Sequence, residues 1–202
     1  MNTQELLKLI PEAKWRHALP SSDQTALLVI DMQEYFRSMV MHIIPNLKRL
    51  ISVCRESDIP VVYTQHGHDD PDQDGGMLGE WWGELILTGS EGATILPELK
   101  PLPGEKVAAK NRYSAFHNTD LDEHLINIGI KDIIISGVMT NLCCETTARD
   151  AFVRDFRVFF LADGTATAGD EYHLATLRNL AYGFAYILTC DEVIDHIKKN
   201  CS

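Results

Sequence analysis

The chain reads as an α/β protein, a three-layer, doubly wound sheet of six parallel strands in the order 3-2-1-4-5-6. Three observations carry that expectation. Short apolar runs such as Thr25-Ala-Leu-Leu-Val-Ile-Asp31 and Ile133-Ile134-Ile135 lack the alternation of a half-exposed strand and read as strands buried on both faces. Stretches of helical spacing separate these runs, so strand and helix alternate as right-handed parallel crossovers require. Three reactive side chains, Asp31, Lys110 and Cys143, each fall at or just after an expected strand, on the rim where such sheets bind ligands.

In chain order, residues 3 to 10 form a short helix that Pro11 does not continue, and Ser21, Ser22 and Asp23 mark a turn. The first strand ends in the carboxylate of Asp31. Ile43, Ile44, Leu47, Leu50, Ile51 and Cys54 recur at helical spacing, and Asp58-Ile59-Pro60 stops that helix before a second strand, Val61 to Thr64. Gln65 to Gly92, rich in Gly and Asp and holding the adjacent Trp81 and Trp82, is too long for a plain connector, and such loops are usually functional or mobile. Glu105 to Ala109 is a weak third strand that delivers Lys110 at its end. Thr119 caps a helix with Leu121, Leu125 and Ile128, closed by Gly129. The fourth strand holds the isoleucine run and is broken by Gly137. Val158 to Ala162 and Ala185 to Leu188 are strands five and six, around a helix that starts at Asp170, and a last helix runs from Asp191 to about Lys199.

After strand four, Thr140 or Asn141 is a competent N-cap, which puts Cys143 in the first turn of the next helix. A thiol there meets exposed N–H groups and the positive end of the helix dipole, so it is expected to have a lowered pKa and to serve as a nucleophile. Read from this segment alone, Cys143 and Cys144 are equally well two small buried hydrophobes.

At 202 residues the chain is expected to form one domain, 1–202, with its core at about 25–190. A formal charge of −11, from 18 basic and 29 acidic residues, argues against nucleic acid, whose binding rests on Lys and Arg. The five cysteines are odd in number and contain no Cys-x-x-Cys pair, which fits reduced thiols in a cytoplasmic protein. The N-terminus shows neither a basic n-region nor a long apolar segment, so neither a signal peptide nor a membrane span is expected.

The motifs Val29-Ile-Asp31-Met-Gln33, Lys110-Asn-Arg-Tyr-Ser-Ala-Phe116 and Gly137-Val-Met-Thr-Asn-Leu-Cys143-Cys-Glu-Thr-Thr-Ala resemble the three signatures of the isochorismatase-like cysteine hydrolase superfamily. The resemblance covers about Thr25 to Cys190. It implies that Asp31, Lys110 and Cys143 form a triad that hydrolyses a small amide through a thioester. Asp31 would act as base and then acid, and Lys110 would hold the other two in place. The resemblance also implies a cis peptide between Val138 and Met139, an oxyanion hole from the amides of Met139 and Cys143, and a homodimer or homotetramer.

Substrate contacts are expected from Gln33, Gln65, Trp81, Trp82, Arg112, Tyr113 and Phe116. Metal-dependent nicotinamidases of the superfamily carry Asp-x-His and a further His; here His66 replaces the Asp, only His68 fits, and neither metal nor cofactor is expected. Gln65 with Lys110-x-Arg112-Tyr113-Ser-Ala-Phe116 is especially similar to true isochorismatases, which protonate a vinyl ether and carry glycine at the position of Cys143. Vinyl-ether hydrolysis is therefore the alternative chemistry, and a metabolite-binding module the alternative outside the enzymes. His17, His42, His124, His173 and His196 have no assigned role.

Overall fold

The structure is a computed structural model that describes residues 3–21 and 23–200. Ser22, part of the expected turn, and Cys201, one of the five thiols, lie outside the described residues. Six strands, β1 (Thr25–Ile30), β2 (Val61–His66), β3 (Val107–Lys110), β4 (Asp132–Val138), β5 (Arg157–Ala166) and β6 (Tyr186–Leu188), form one sheet. Its order is β3-β2-β1-β4-β5-β6 and every pairing is parallel, the expected topology.

The helices that matter below are α1 (Thr3–Lys8), α2 (Arg37–Val40), α3 (Ile44–Glu56), α4 (Pro71–Asp74), α5 (Gly76–Trp82), α6 (Leu121–Asn127), α7 (Glu145–Val153), α8 (Asp170–Gly183) and α9 (Cys190–Asn200). Successive strand side chains point to opposite faces, and both faces are filled. Leu27 and Val29 of β1 join Ile134, Phe159 and Leu161 under α3 and α9, which contribute Leu47, Leu50, Val193 and Ile197. Ala26, Leu28 and Ile30 join Ile133, Ile135, Val158 and Phe160 on the other face, with Leu6, Leu121, Leu125, Ala148, Leu177 and Leu180 from α1, α6, α7 and α8.

The departures from expectation are local. β5 runs four residues beyond Ala162, because Thr165 and Ala166 resume the ladder opposite Gly137 and Val138 after a register shift. β3 starts at Val107; Glu105 instead pairs with Arg55 at 2.7 Å. The long segment after β2 holds α4 and α5, with Asp70 capping α4 through the Asp72 amide. Bridges from Gln33 to Ile95 and from His68 to Leu87 fasten this segment to the sheet rim.

Candidate active site

Asp31 follows β1 directly, in a left-handed backbone conformation with φ of 48° that turns its carboxylate out of the strand line. Its Oδ2 lies 2.7 Å from Lys110 Nζ, at the end of β3. Lys110 Nζ donates to the Arg112 carbonyl oxygen at 2.9 Å and contacts Cys143 Sγ at 3.4 Å. Side chains more than 30 residues apart thus meet at the C-terminal rim, with Asp31 0%, Lys110 5% and Cys143 7% exposed. Thr64 supplies a contact the sequence did not reveal. Its hydroxyl donates to Asp31 Oδ1 at 2.6 Å and accepts from the Asp31 amide at 3.1 Å, fixing the carboxylate on the side away from Lys110.

The backbone that presents Cys143 depends on Gly137. At φ of 113°, with Ile30 O 2.0 Å from where a Cβ would sit, no other residue fits between β4 and β1. The Val138–Met139 peptide that follows is cis. Thr140–Cys144 then form one π-helical turn before α7, and the amides of Leu142 and Cys144 both donate to the Met139 carbonyl at 3.1 Å. Neither Thr140 nor Asn141 caps α7. Their side chains serve α8 and its approach instead: Thr140 Oγ1 meets His173 Nδ1 at 2.9 Å, and Asn141 Oδ1 accepts from Thr167 at 2.6 Å.

Electrostatics corrects the expectation of a lowered Cys143 pKa. Burial pushes the thiol up to about 12; Lys110 opposes this and Asp31 adds to it. A sulfur shut away from water forgoes more solvation as thiolate than one nearby ammonium returns, so the resting group is a thiol. Burial also presses on Lys110, but Asp31 and Cys143 beside it outweigh that and leave its ammonium above the usual value. The Asp31 carboxylate lies close enough for its charge to act on the thiol and hold the proton there.

The remaining residues singled out in the sequence divide by what they touch. Gln33 is fully buried and spent on the backbone: its amide nitrogen donates to the carbonyls of His66 and Ala93 at 2.8 and 2.9 Å, and its oxygen accepts from the His66 amide at 2.8 Å. Gln65 Nε2 donates to the same Ala93 carbonyl at 2.8 Å. Both bind the rim loop to the sheet. Arg112 Nη1 donates to the carbonyls of Asp74 and Asn111 at 2.8 and 2.7 Å, bracing α4 and α5. Trp82 Nε1 donates to the Tyr113 hydroxyl at 2.8 Å, while Trp81 is 76% exposed. Phe116 is a correction: it is buried in the core beneath α6 and α7, stacked on Phe156 with centroids 6.0 Å apart and capped by the Arg154 guanidinium. Its apolar bulk is worth more in the core than at a wetted site.

His66 and His68 pack edge to face, 5.2 Å between centroids, and His68 Nδ1 lies 2.9 Å from Asp74 Oδ1. Burial and the nearby Lys110 hold the His66 imidazole down at about 4. Among the described residues, no group of three or more His, Cys, Asp and Glu could hold a metal ion.

A carboxylate, an ammonium and a thiol packed together at the rim of a 3-2-1-4-5-6 parallel sheet place the protein in the class of isochorismatase-like α/β hydrolases. Comparison with known proteins narrows this. Residues 25–192 match the family model described as the isochorismatase domain. Nicotinamidase 3 of Arabidopsis thaliana is 51% identical over 177 residues, 86% of this chain and 89% of that protein. Enterobactin synthase component B of Escherichia coli is 34% identical over 85% of this chain and 62% of its own length. Among solved structures, a cysteine hydrolase from Pseudomonas syringae pv. phaseolicola superposes with a TM-score of 0.84 at 26% identity, over 91% of this chain and 99% of that one. The chain belongs to the isochorismatase family, and it is a hydrolase. No helix of the described residues is long and apolar enough to cross a membrane.

Proposed function

We propose that the protein hydrolyses a small amide through a thioester on Cys143, with Asp31 as proton carrier and Lys110 as the cation that holds both. The observation that carries this reading is the thiol itself, seated 3.4 Å from Lys110 Nζ, which lies 2.7 Å from the Asp31 carboxylate. Because the resting group is a thiol, attack and proton transfer go together: sulfur adds to the carbonyl carbon as its proton passes to Asp31. The oxygen that gains charge is met by the amides of Met139 and Cys143. The C–N bond breaks as Asp31 returns the proton to nitrogen, which leaves as ammonia or an amine. Water then adds to the thioester, giving one proton to Asp31; the C–S bond breaks, the carboxylic acid leaves, and Asp31 returns the proton to sulfur to restore the thiol.

The similarity to an Arabidopsis nicotinamidase supports a ring-borne primary carboxamide as substrate, with nicotinamide the first to assay. Arg112, Tyr113 and Trp82, joined through α4 and α5, are the side chains this reading assigns to the substrate's approach. A homodimer or homotetramer belongs to the same proposal, with Trp81 and Met77, 76% and 65% exposed on α5, as contact residues.

The test is ammonia release from a panel of small amides, with isochorismate alongside, for wild type, Cys143→Ala and Asp31→Ala. Loss in both variants supports the thioester. The second reading, protonation of a vinyl ether by Asp31, is favoured by the similarity to a Bacillus subtilis protein named isochorismatase, 34% identical over 90% of this chain and 60% of its own length. It requires isochorismate turnover that Cys143→Ala spares and Asp31→Ala abolishes.

A further inference from the structure

Three hydrogen bonds tie the turn that carries Cys143 to α8 and the segment before it. Thr140 Oγ1 meets His173 Nδ1 at 2.9 Å, Thr167 Oγ1 donates to Asn141 Oδ1 at 2.6 Å, and Thr176 Oγ1 donates to Glu145 Oε2 at 2.7 Å. The polarity of the first is set by the chemistry around the ring. His173 Nε2 lies 3.0 Å from the Ala162 carbonyl oxygen, which can only accept, so Nε2 carries the hydrogen. In the neutral ring Nδ1 is then an acceptor, and the Thr140 hydroxyl donates to it. Burial keeps the ring neutral by lowering its pKa; the Ala162 carbonyl and Asp170 act the other way, and His42 acts with burial.

The connection this makes runs from the sheet to the nucleophile's turn. Ala162 belongs to β5, the ring belongs to α8, and Thr140, wholly buried, opens the π-helical turn between Met139 and Cys143. With Thr140 wholly buried, the imidazole is the partner its hydroxyl reaches. A turn that is to aim amides at one point gains most from a bond at its first residue, since small displacements of preorganised donors cost rate steeply.

We propose that His173, as its Nε2–H tautomer, is a positioning residue for hydrolysis: by accepting from Thr140 it fixes the turn whose amides receive the developing oxyanion. The inference rests on the amide-hydrolysis reading above. Its test uses Thr140→Val, which keeps the shape and removes the hydroxyl, Thr140→Ser, which keeps the hydroxyl, His173→Gln, and the double variant Thr140→Val/His173→Gln. Three quantities are read: kcat and KM on the amide, the inhibition constant of the corresponding aldehyde, and hydrogen exchange of the amides of residues 139–144. The aldehyde forms a hemithioacetal with Cys143 and so reports the oxyanion position without turnover.

The expected result is a fall in kcat of about tenfold or more for Thr140→Val and His173→Gln with KM little changed, as for a slight misplacement of catalytic groups. Aldehyde inhibition should weaken by a similar factor, Thr140→Ser should recover most of kcat, and the double variant should be no worse than the poorer single one. Losses that multiply in the double variant, or a kcat within twofold of wild type in both singles, overturn it. If Cys143→Ala proves as active as wild type, the function reading has failed, and exchange decides this inference alone. Faster exchange at 139–144 in Thr140→Val sustains the tether, and unchanged exchange refutes it.

Discussion

Lys110→Met removes the cation between two buried groups and leaves the Asp31 carboxylate, 0% exposed and 2.7 Å from the lost ammonium, with the Thr64 hydroxyl as its side-chain donor. At that distance the attraction is about 6 kcal/mol for an effective dielectric constant of about 20. Part of it is offset, because the ammonium no longer has to be desolvated, and breaking one side of a buried pair costs about 3 to 5 kcal/mol in measured cases. The loss follows the charge on Asp31, so in an Asp31→Asn background, where Lys110 has no anion to face, Lys110→Met should cost little or even stabilise. For a chain of this length the loss amounts to a drop in Tm of roughly 6 to 20 °C for Lys110→Met relative to wild type. Calorimetry of the two single variants and the double variant measures it, and Lys110→Met should also lose at least 100-fold in kcat because the cation that holds Asp31 and Cys143 together is gone. An equal drop in Tm on removing Lys110 in both backgrounds would refute the reasoning, since it would mean that Lys110 contributes packing and no charge.

Other outcomes follow from individual contacts. Thr64→Val should lower kcat about tenfold with little change in KM, since it frees one carboxylate oxygen of Asp31 while leaving the pocket in shape; steady-state kinetics on the active amide checks it. Phe116→Ala should cost about 3 to 5 kcal/mol in urea unfolding, as a core aromatic, yet leave kcat per folded molecule near wild type. Cys144→Ala should keep its activity and lose about 1 kcal/mol, because Cys144 is wholly buried beside β4 with Sγ 4.0 Å from the Ser136 carbonyl oxygen. Absorbance near 240 nm, taken as the difference between wild type and Cys143→Ala, should show no thiolate step up to about pH 9, since burial holds this thiol at about 12.

The sheet was legible because burial on both faces leaves an unmistakable pattern: Ala26 to Ile30 and Ile133 to Ile135 carry no polar residue to mark an outside. The far end of β5 was not, since Asp163-Gly164-Thr165 reads as a turn until the Asp163 carboxylate is seen accepting from the Cys190 amide at 2.7 Å. Helices α4 and α5 were hidden for a related reason, their Gly, Pro and Asp content being that of a loop. At the site, Asp31, Lys110 and Cys143 could be placed on one rim by counting strands, but nothing in the sequence says how dry that rim is. Dryness is what turned a thiol expected to be acidic into one pushed up to about 12. The contacts of Thr64, Thr140 and His173 were not legible because a hydroxyl or imidazole acquires its partner only through tertiary contact, here across 33 residues in both cases. Gln33 and Gln65 were read as substrate contacts; their amides are committed to the carbonyls of Ala93 and His66.

The central claim is that carbon becomes bonded to the sulfur of Cys143 during turnover. Rapid acid quench of the enzyme with an amide it hydrolyses, followed by intact-mass and peptide mass spectrometry, observes that bond directly. The expected result is an acyl adduct on the peptide containing Cys143, heavier by the substrate's acyl group, that forms as fast as ammonia is released and is absent from Cys143→Ala. Steady ammonia release with no adduct on Cys143 at any quench time, and with Cys143→Ala turning over at the wild-type rate, would contradict it.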